Sequence, residues 1–117
     1  MNTARYYDRT WWQYQFLWIP LHKHFGYYDD KACTHGRSLV RLLEVLWEAA
    51  GTKPGMQVMD AGCGVGGTTL WLAEQGVDAQ GLTLSRREAE KATERARRLG
   101  LSDHVSFWAG DYAHTCF

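Results

Sequence analysis

VMDAGCGVGGTTLWLAEQG, Val58 to Gly76, closes a short apolar run with an acid. It then sets four glycines within six positions and turns to a helical pattern. MQVMDA, Met56 to Ala61, is short, apolar and bounded by turn signals, so it reads as a buried strand. Thr68 to Gln75 reads as a helix that Gly76 ends. A tight glycine turn between such a strand and such a helix exposes backbone N–H groups, where polar and anionic ligands bind. Glycine is required because side chains would block both the turn and the close approach. Gly62, Gly64 and Gly67 satisfy G-x-G-x-x-G, and the same letters fit a dinucleotide fingerprint.

Working outward, the pattern repeats. Asp78 to Leu84 (DAQGLTL) reads as a second strand. Ser85 and Glu88 form an S-x-x-E capping box, and the helix they open runs to Leu99 with Gly100 at its C′ position. The densest charge run, Arg86 to Arg98, alternates in sign as a solvated helix face does. His104 to Ala109 (HVSFWA) is a third strand, followed by Gly110–Asp111. Upstream, a helix is expected over Ser38 to Ala50, with Leu39, Leu42, Leu43, Leu46 and Trp47 as one apolar stripe. Gly51 stops it, and Pro54–Gly55 makes a turn. Strands alternating with helices give βαβ units and a parallel sheet, an α/β fold. Right-handed crossovers set the strands in order 3-2-1. Residues 1–28 are aromatic-rich and broken by Pro20, and read as an irregular or helical lid. The chain thus divides into a lid segment, 1–37, and a ligand-binding segment, 38–117.

Composition bounds the function. The 117 residues allow one domain, and 13 basic residues balance 13 acidic ones. That balance argues against a nucleic-acid surface, which shows a basic excess. Cys33, Cys63 and Cys116 form no CxxC pair, so a reducing compartment and a cytoplasmic protein are expected. The N-terminus, MNTARYYDRT, has no apolar h-region. Trp11 to Leu21 is too short to span a bilayer, which takes about 20 residues.

The residues around the loop narrow the ligand. A dinucleotide site wants an acid about 20 residues on, at the end of the second strand. Leu82–Thr83–Leu84–Ser85 stands there, and the strand's only acid, Asp78, is at its start. Asp60, two residues before the first glycine, can accept from a cationic or hydroxyl group, or it can simply cap loop amides. An adenosine-type ligand fits better than a purely structural turn. His22 and His24 form an H-x-H pair without the further ligands a metal needs. Cys63 has no adjacent base to make it a nucleophile, and reads as a small residue tolerated in a tight turn.

VMDAGCGVGG resembles the first motif of class I S-adenosylmethionine-dependent methyltransferases. GLTLS (Gly81 to Ser85) and VSFWAGD (Val105 to Asp111) fall where that fold's second and third strands end. Together with HFGYYD (His24 to Asp29) and YYD (Tyr6 to Asp8), the pattern is similar to the branch that holds sterol, tocopherol and cyclopropane-forming mycolic-acid-type enzymes. There, GLTLS or GITLS replaces the usual ribose-binding acid. The resemblance implies S-adenosylmethionine or S-adenosylhomocysteine as cofactor and a small, hydrophobic acceptor. It places Asp60, Gly62, Gly64 and Gly66 at the methionine end of the cofactor. Thr83, Leu84 and Ser85 fall at the ribose, Asp111 and Tyr112 at the adenine. His24 and Tyr27 close over the methyl donor. Some members carry glutamine three residues after the Ser of TLS; here Glu88 stands there.

The resemblance also implies a sheet of about seven strands, of which three are present, so the Rossmann-like methyltransferase fold is incomplete. The first strand would be central in that sheet, and a bare edge pairs with something or aggregates. Truncation of a longer enzyme is the expectation, with completion by another chain or a symmetric homodimer as alternatives. No catalytic residue is assigned, because the family's acceptor contacts and general base lie in the other half. The competing readings are a nicotinamide-dependent oxidoreductase fragment and a non-catalytic module that kept the fold.

Overall fold

The computed structural model describes residues 3, 5, 6, 8–10 and 24–115. Residues 3, 5, 6 and 8–10 are helical. The expectations for the stretch Trp11 to Leu21, with Pro20, and for His22 and Cys116 lie outside the described residues. From there the order is α1 (His35–Ala50), β1 (Gln57–Ala61), α2 (Gly67–Glu74), β2 (Asp78–Thr83), α3 (Arg86–Leu99), β3 (Val105–Ala109) and a 3-10 turn, Tyr112–His114.

The three strands form one parallel sheet in the order β1-β2-β3. Read from its other edge, this is the 3-2-1 order that right-handed crossovers give. Gln57 pairs with Asp78 and Ala61 with Leu82; Ala79 pairs with Val105 and Thr83 with Ala109. The register sets the carboxyl ends of all three strands at one end of the sheet. β1 departs from the buried strand expected of it. Its exposure alternates, and Met59 is 41% exposed. Among the described residues β1 has one strand neighbour, whereas β2 has two, and β2 is the buried strand of the sheet.

α1 begins three residues earlier than its apolar stripe suggests, because the Thr34 side chain accepts the Arg37 N–H and caps it. Gly51, left-handed at φ 64, closes it. Leu39 and Leu43 of the stripe are buried, but Leu46 is 54% exposed. The protected face is turned instead toward Ser38 and Arg41, on the side where residues 26–29 lie. There the Tyr27 N–H donates to the Ser38 carbonyl at 2.8 Å, and Arg41 Nε donates to Asp29 Oδ2 at 2.7 Å.

Leu72, Val77 and Ala79 form a buried cluster, with Trp47, Val58, Trp71 and Val105 packed against it. Trp47 and Trp71 meet edge to face, with ring centroids 5.8 Å apart, a favoured aromatic geometry. α3 buries a narrow seam of Ala89, Ala92 and Ala96, together with Glu88. The charge run is therefore not wholly a solvated face. Arg95 also turns inward, its Nη1 donating to the Val65 carbonyl at 3.1 Å.

Candidate cofactor-binding site

The turn after β1 is fastened to β2. The N–H groups of Gly62 and Cys63 both donate to the Leu82 carbonyl, at 2.7 and 2.9 Å. Gly62, Gly64 and Gly66 all have positive φ, 88°, 53° and 83°. What surrounds them differs. A Cβ on Gly62 would meet nothing within 4 Å, so the requirement there is conformational and the space beside the backbone is open. A Cβ on Gly66 would come within 2.7 Å of Phe107 Cε1 and 2.9 Å of Ala92 Cβ. Gly66 is therefore the packing glycine, the one that lets α2, α3 and β3 approach. Among the described residues, the amides of Gly64 and Val65 donate to no protein acceptor.

Asp60, one residue before the end of β1, is half-buried beside this turn, and its Oδ2 accepts from Thr69 Oγ1 at 2.7 Å. Burial pushes its carboxyl above the usual aspartate value, and the bonds from Thr69 pull the other way. Thr69 had no motif to mark it; it reaches Asp60 because the first turn of α2 folds back over the strand end. Cys63 is buried behind the loop. Burial first, then the charges of Asp60 and Glu88, push its thiol up to about 12. The thiol is thus held protonated, which suits a space-filling residue and not a nucleophile.

The end of β2 is more enclosed than its sequence suggests. Thr83 and Ser85 are buried, at 5% and 0% exposure. Thr83 Oγ1 donates to Glu88 Oε2 at 2.8 Å, and the Ser85 N–H donates to Thr83 Oγ1 at 3.3 Å. The Glu88 N–H donates to Ser85 Oγ at 3.2 Å. Half of the capping box therefore forms. The returning arm runs through Thr83, because the Glu88 carboxylate lies under the strand end instead of against the Ser85 amide. A Cβ on Gly64 would sit 4.0 Å from Glu88 Oε1, so this carboxylate also borders the glycine turn. Both hydroxyls expected at a ribose are committed within the protein. Leu84, 40% exposed, is the residue of the three that opens outward. Ser85 Oγ in turn donates to Asp8 Oδ1, which arrives from the N-terminal helical residues.

β3 ends at Ala109, where the Gly110 N–H donates to the Thr83 carbonyl at 2.8 Å. Asp111 caps the following 3-10 turn. Its Oδ1 accepts from the Ala113 N–H at 2.9 Å, and its Oδ2 pairs with His114 Nδ1 at 3.1 Å. The Ala113 amide first, then His114, hold its carboxyl below the usual value. Tyr112 is 61% exposed beside it. His24 and Tyr27 belong to the segment that precedes α1. His24 Nδ1 bonds the Phe25 carbonyl at 2.9 Å, and Tyr27 is tied to α1.

Asp60, the open glycine backbone, Leu84 and Asp111 thus stand at the carboxyl ends of three adjacent parallel strands, the place where open α/β sheets take their ligands. The donor set fits S-adenosylmethionine. A carboxylate suits its ammonium, spare loop amides suit its carboxylate, and an exposed acid beside an aromatic suits its adenine. A separate groove of about 340 Å³ lies between α1 and α2, lined by Arg37, Glu44, Trp47 and Trp71 among others. It is away from these strand ends.

Comparison with known proteins gives the family of the chain. Residues 21–115 match the family described as mycolic acid cyclopropane synthetase. The chain is 35% identical over 119 residues to the probable chloroplastic tocopherol O-methyltransferase of Oryza sativa subsp. japonica, covering 92% of this chain and 32% of that protein. A geranyl diphosphate methyltransferase, solved with geranyl diphosphate and sinefungin, superposes with a TM-score of 0.72 at 32% identity, over 82% of this chain and 41% of that one. The [4+2]-cyclase SpnF superposes with a TM-score of 0.85 at 26% identity, over 97% and 43%. The chain spans about a third of the length of the curated relatives it matches. With its Rossmann-like sheet, its glycine turn and the match over residues 21–115, the chain belongs to the mycolic acid cyclopropane synthetase family, a family of S-adenosylmethionine-dependent methyltransferases.

Proposed function

We propose that this chain supplies the cofactor half of a methyltransferase that passes a methyl group from S-adenosylmethionine to a small, hydrophobic acceptor. The observation that carries this reading is the convergence of Asp60, the open backbone at Gly62 and Gly64, Leu84 and Asp111 at one end of the sheet. When bound, S-adenosylmethionine supplies a methyl group already activated by its sulfonium. The protein's part is then to position the reactants and exclude water.

In this reading Asp60 accepts from the ammonium of the methionine moiety. Gly62 and Gly64 let the backbone approach, and the amides of Gly64 and Val65 meet the carboxylate. Gly66 serves the same loop by packing it. The Leu84 backbone lies along the ribose between the buried anchors Thr83 and Ser85. Asp111 accepts from the adenine amine, with Tyr112 against the ring. His24 and Tyr27, on the lid segment 1–37, close over the methyl donor held by residues 38–117. Aromatic faces in that lid suit both a sulfonium and an apolar acceptor.

The acceptor class rests on relatives named for tocopherol, geranyl diphosphate and sterol methylation. The exposed edge of β1 is where the rest of the enzyme, or a second copy of the chain, adds its strand. Two free thiols, Cys33 and Cys63, suit a reducing compartment, and we assign the cytoplasm. Among the described residues, no helix is long and apolar enough to cross a membrane. The name of one structural relative, a [4+2]-cyclase, favours a second reading in which the pocket is kept and the chemistry differs.

The test is incubation of the protein with methyl-labelled S-adenosylmethionine and a panel of tocopherol-type phenols, prenyl diphosphates and sterols. Labelled product from one class supports the assignment. Conversion of a substrate without transfer of the labelled methyl group supports the second reading.

A further inference from the structure

The glycine turn is held from behind by a cation on α3. Arg95 Nη1 donates to the Val65 carbonyl at 3.1 Å, across 30 positions of the chain. Close packing brings the two within reach. A Cβ on Gly66 would sit 2.9 Å from Ala92 Cβ, and Ala92 and Arg95, three apart, share that face of the helix. Val65 precedes the Gly66 N-cap of α2, so its carbonyl lies outside the helical ladder. Arg95 is half-buried. Burial first, then the charge of Arg98, lowers its pKa from the ordinary arginine value. A guanidinium is costly in such a place unless it finds acceptors.

The peptides of the turn are all trans, so each carbonyl and the N–H that follows it point in opposite directions. The bond from Arg95 to the Val65 carbonyl therefore orients the Gly66 N–H, which donates to the Cys63 carbonyl at 2.9 Å. That second bond orients the Gly64 N–H, on the far side of the Cys63 peptide. The Gly64 carbonyl accepts from Cys63 Sγ at 3.6 Å, which orients the Val65 N–H. The two amides assigned above to the cofactor's carboxylate are thus aimed by bonds on the protein side of the turn. The charges of Asp60 and Glu88 both act on Cys63 in this turn. Both would repel an incoming carboxylate, and the Arg95 cation offsets them.

We propose that Arg95 is a positioning residue for the carboxylate end of the cofactor, acting through the Val65–Gly66 peptide and through its charge. The inference rests on the cofactor assignment made above. In the sequence Arg95 is one letter of the charge run from Arg86 to Arg98, and only its contact with Val65 sets it apart.

The experiment is calorimetric titration with S-adenosylhomocysteine and with 5′-methylthioadenosine, which keeps the nucleoside and lacks the amino-acid carboxylate and ammonium. Wild type should bind S-adenosylhomocysteine more tightly. Arg95→Met keeps an apolar stem and removes the charge and the donor. It should weaken S-adenosylhomocysteine by roughly 10-fold, the lower end for a hydrogen bond to a charged group, and leave 5′-methylthioadenosine nearly unchanged. The ratio of the two affinities therefore falls by about the same roughly 10-fold. A residue that merely holds α3 against the sheet would weaken both ligands alike and leave the ratio intact. Arg95→Gln keeps a neutral donor and serves if the methionine variant folds poorly; its ratio should fall a few-fold, because a neutral donor is weaker. An unchanged ratio in the variant that folds overturns the role of Arg95 alone. So does wild type that binds the two ligands equally. A folded wild type that binds neither overturns both this inference and the cofactor assignment.

Discussion

Three glycines around the loop separate two costs that are usually entangled. Gly62 needs its left-handed conformation but has open space beside it. Gly81 has no such conformation, yet a Cβ there would come within 2.6 Å of Phe107 Cδ1 and 2.8 Å of Cys63 Sγ. Gly66 carries both burdens, φ 83° and a 2.7 Å approach to Phe107 Cε1. An L-residue in the left-handed region costs roughly 1–2 kcal/mol, and overpacking a close-packed site costs about 1–3 kcal/mol. Gly62→Ala should therefore cost roughly 1–2 kcal/mol, Gly81→Ala about 1–3 kcal/mol, and Gly66→Ala their sum, roughly 2–5 kcal/mol. Against a typical domain stability of about 5–15 kcal/mol, the last is a large fraction. The assay is urea unfolding followed by far-ultraviolet circular dichroism, with cofactor titration of each folded variant. Both packing glycines press on the same ring, so Phe107→Leu should relieve part of the cost in each of them and none of it in Gly62→Ala. Binding should follow the reverse order, with Gly62→Ala losing far more affinity than its small loss of stability suggests. If Gly62→Ala proves the most destabilising of the three, or leaves cofactor affinity unchanged, the division into a ligand glycine and a packing glycine is wrong.

Other outcomes follow from the charges and caps. Burial raises the folded-state value of Asp60 above its ordinary 3.8, so the native state holds that proton more tightly than the unfolded chain. Stability from this group is therefore present below pH 3.8 and is lost as pH rises through the higher folded value. Asp60→Asn, which keeps an acceptor for Thr69, should be at least as stable as wild type at pH 7 while binding the cofactor more weakly; denaturant midpoints across pH check the first and titration the second. Ser85→Ala removes the cap of α3 and should cost about 0.5–2 kcal/mol in the same unfolding assay. Cys63, raised to about 12, should resist alkylation at pH 8 while exposed Cys33 reacts, as peptide mass mapping would show. Glu88→Gln should lower the Cys63 value but leave it above 9, because burial is the larger cause.

The elements themselves follow from local rules. Turn residues and apolar runs place all three strands within a residue or two of their observed ends. The glycine C-caps at Gly51 and Gly100 fall where the helices stop, because only glycine enters that conformation without strain. What periodicity could not place is what depends on distant partners. Leu46 sits on the apolar stripe and is exposed, while Arg41 is buried, because the ion pair with Asp29 decides which side of α1 is covered. Ser85 and Glu88 read as a capping box, but the carboxylate finds Thr83 on the neighbouring strand end. Asp8 is recognisable only as part of a short aromatic motif, and its contact with Ser85 is a property of the tertiary fold. The exposure of β1 likewise reflects the absence of a second strand beside it among the described residues, something its own apolar sequence does not announce.

The central claim is that the strand ends form a pocket for S-adenosylmethionine, and the most direct measurement is calorimetric titration of the purified chain with S-adenosylhomocysteine, with NAD as control. Saturable binding of S-adenosylhomocysteine alone is the predicted result. Binding of NAD, or of neither ligand by a folded chain, would contradict it.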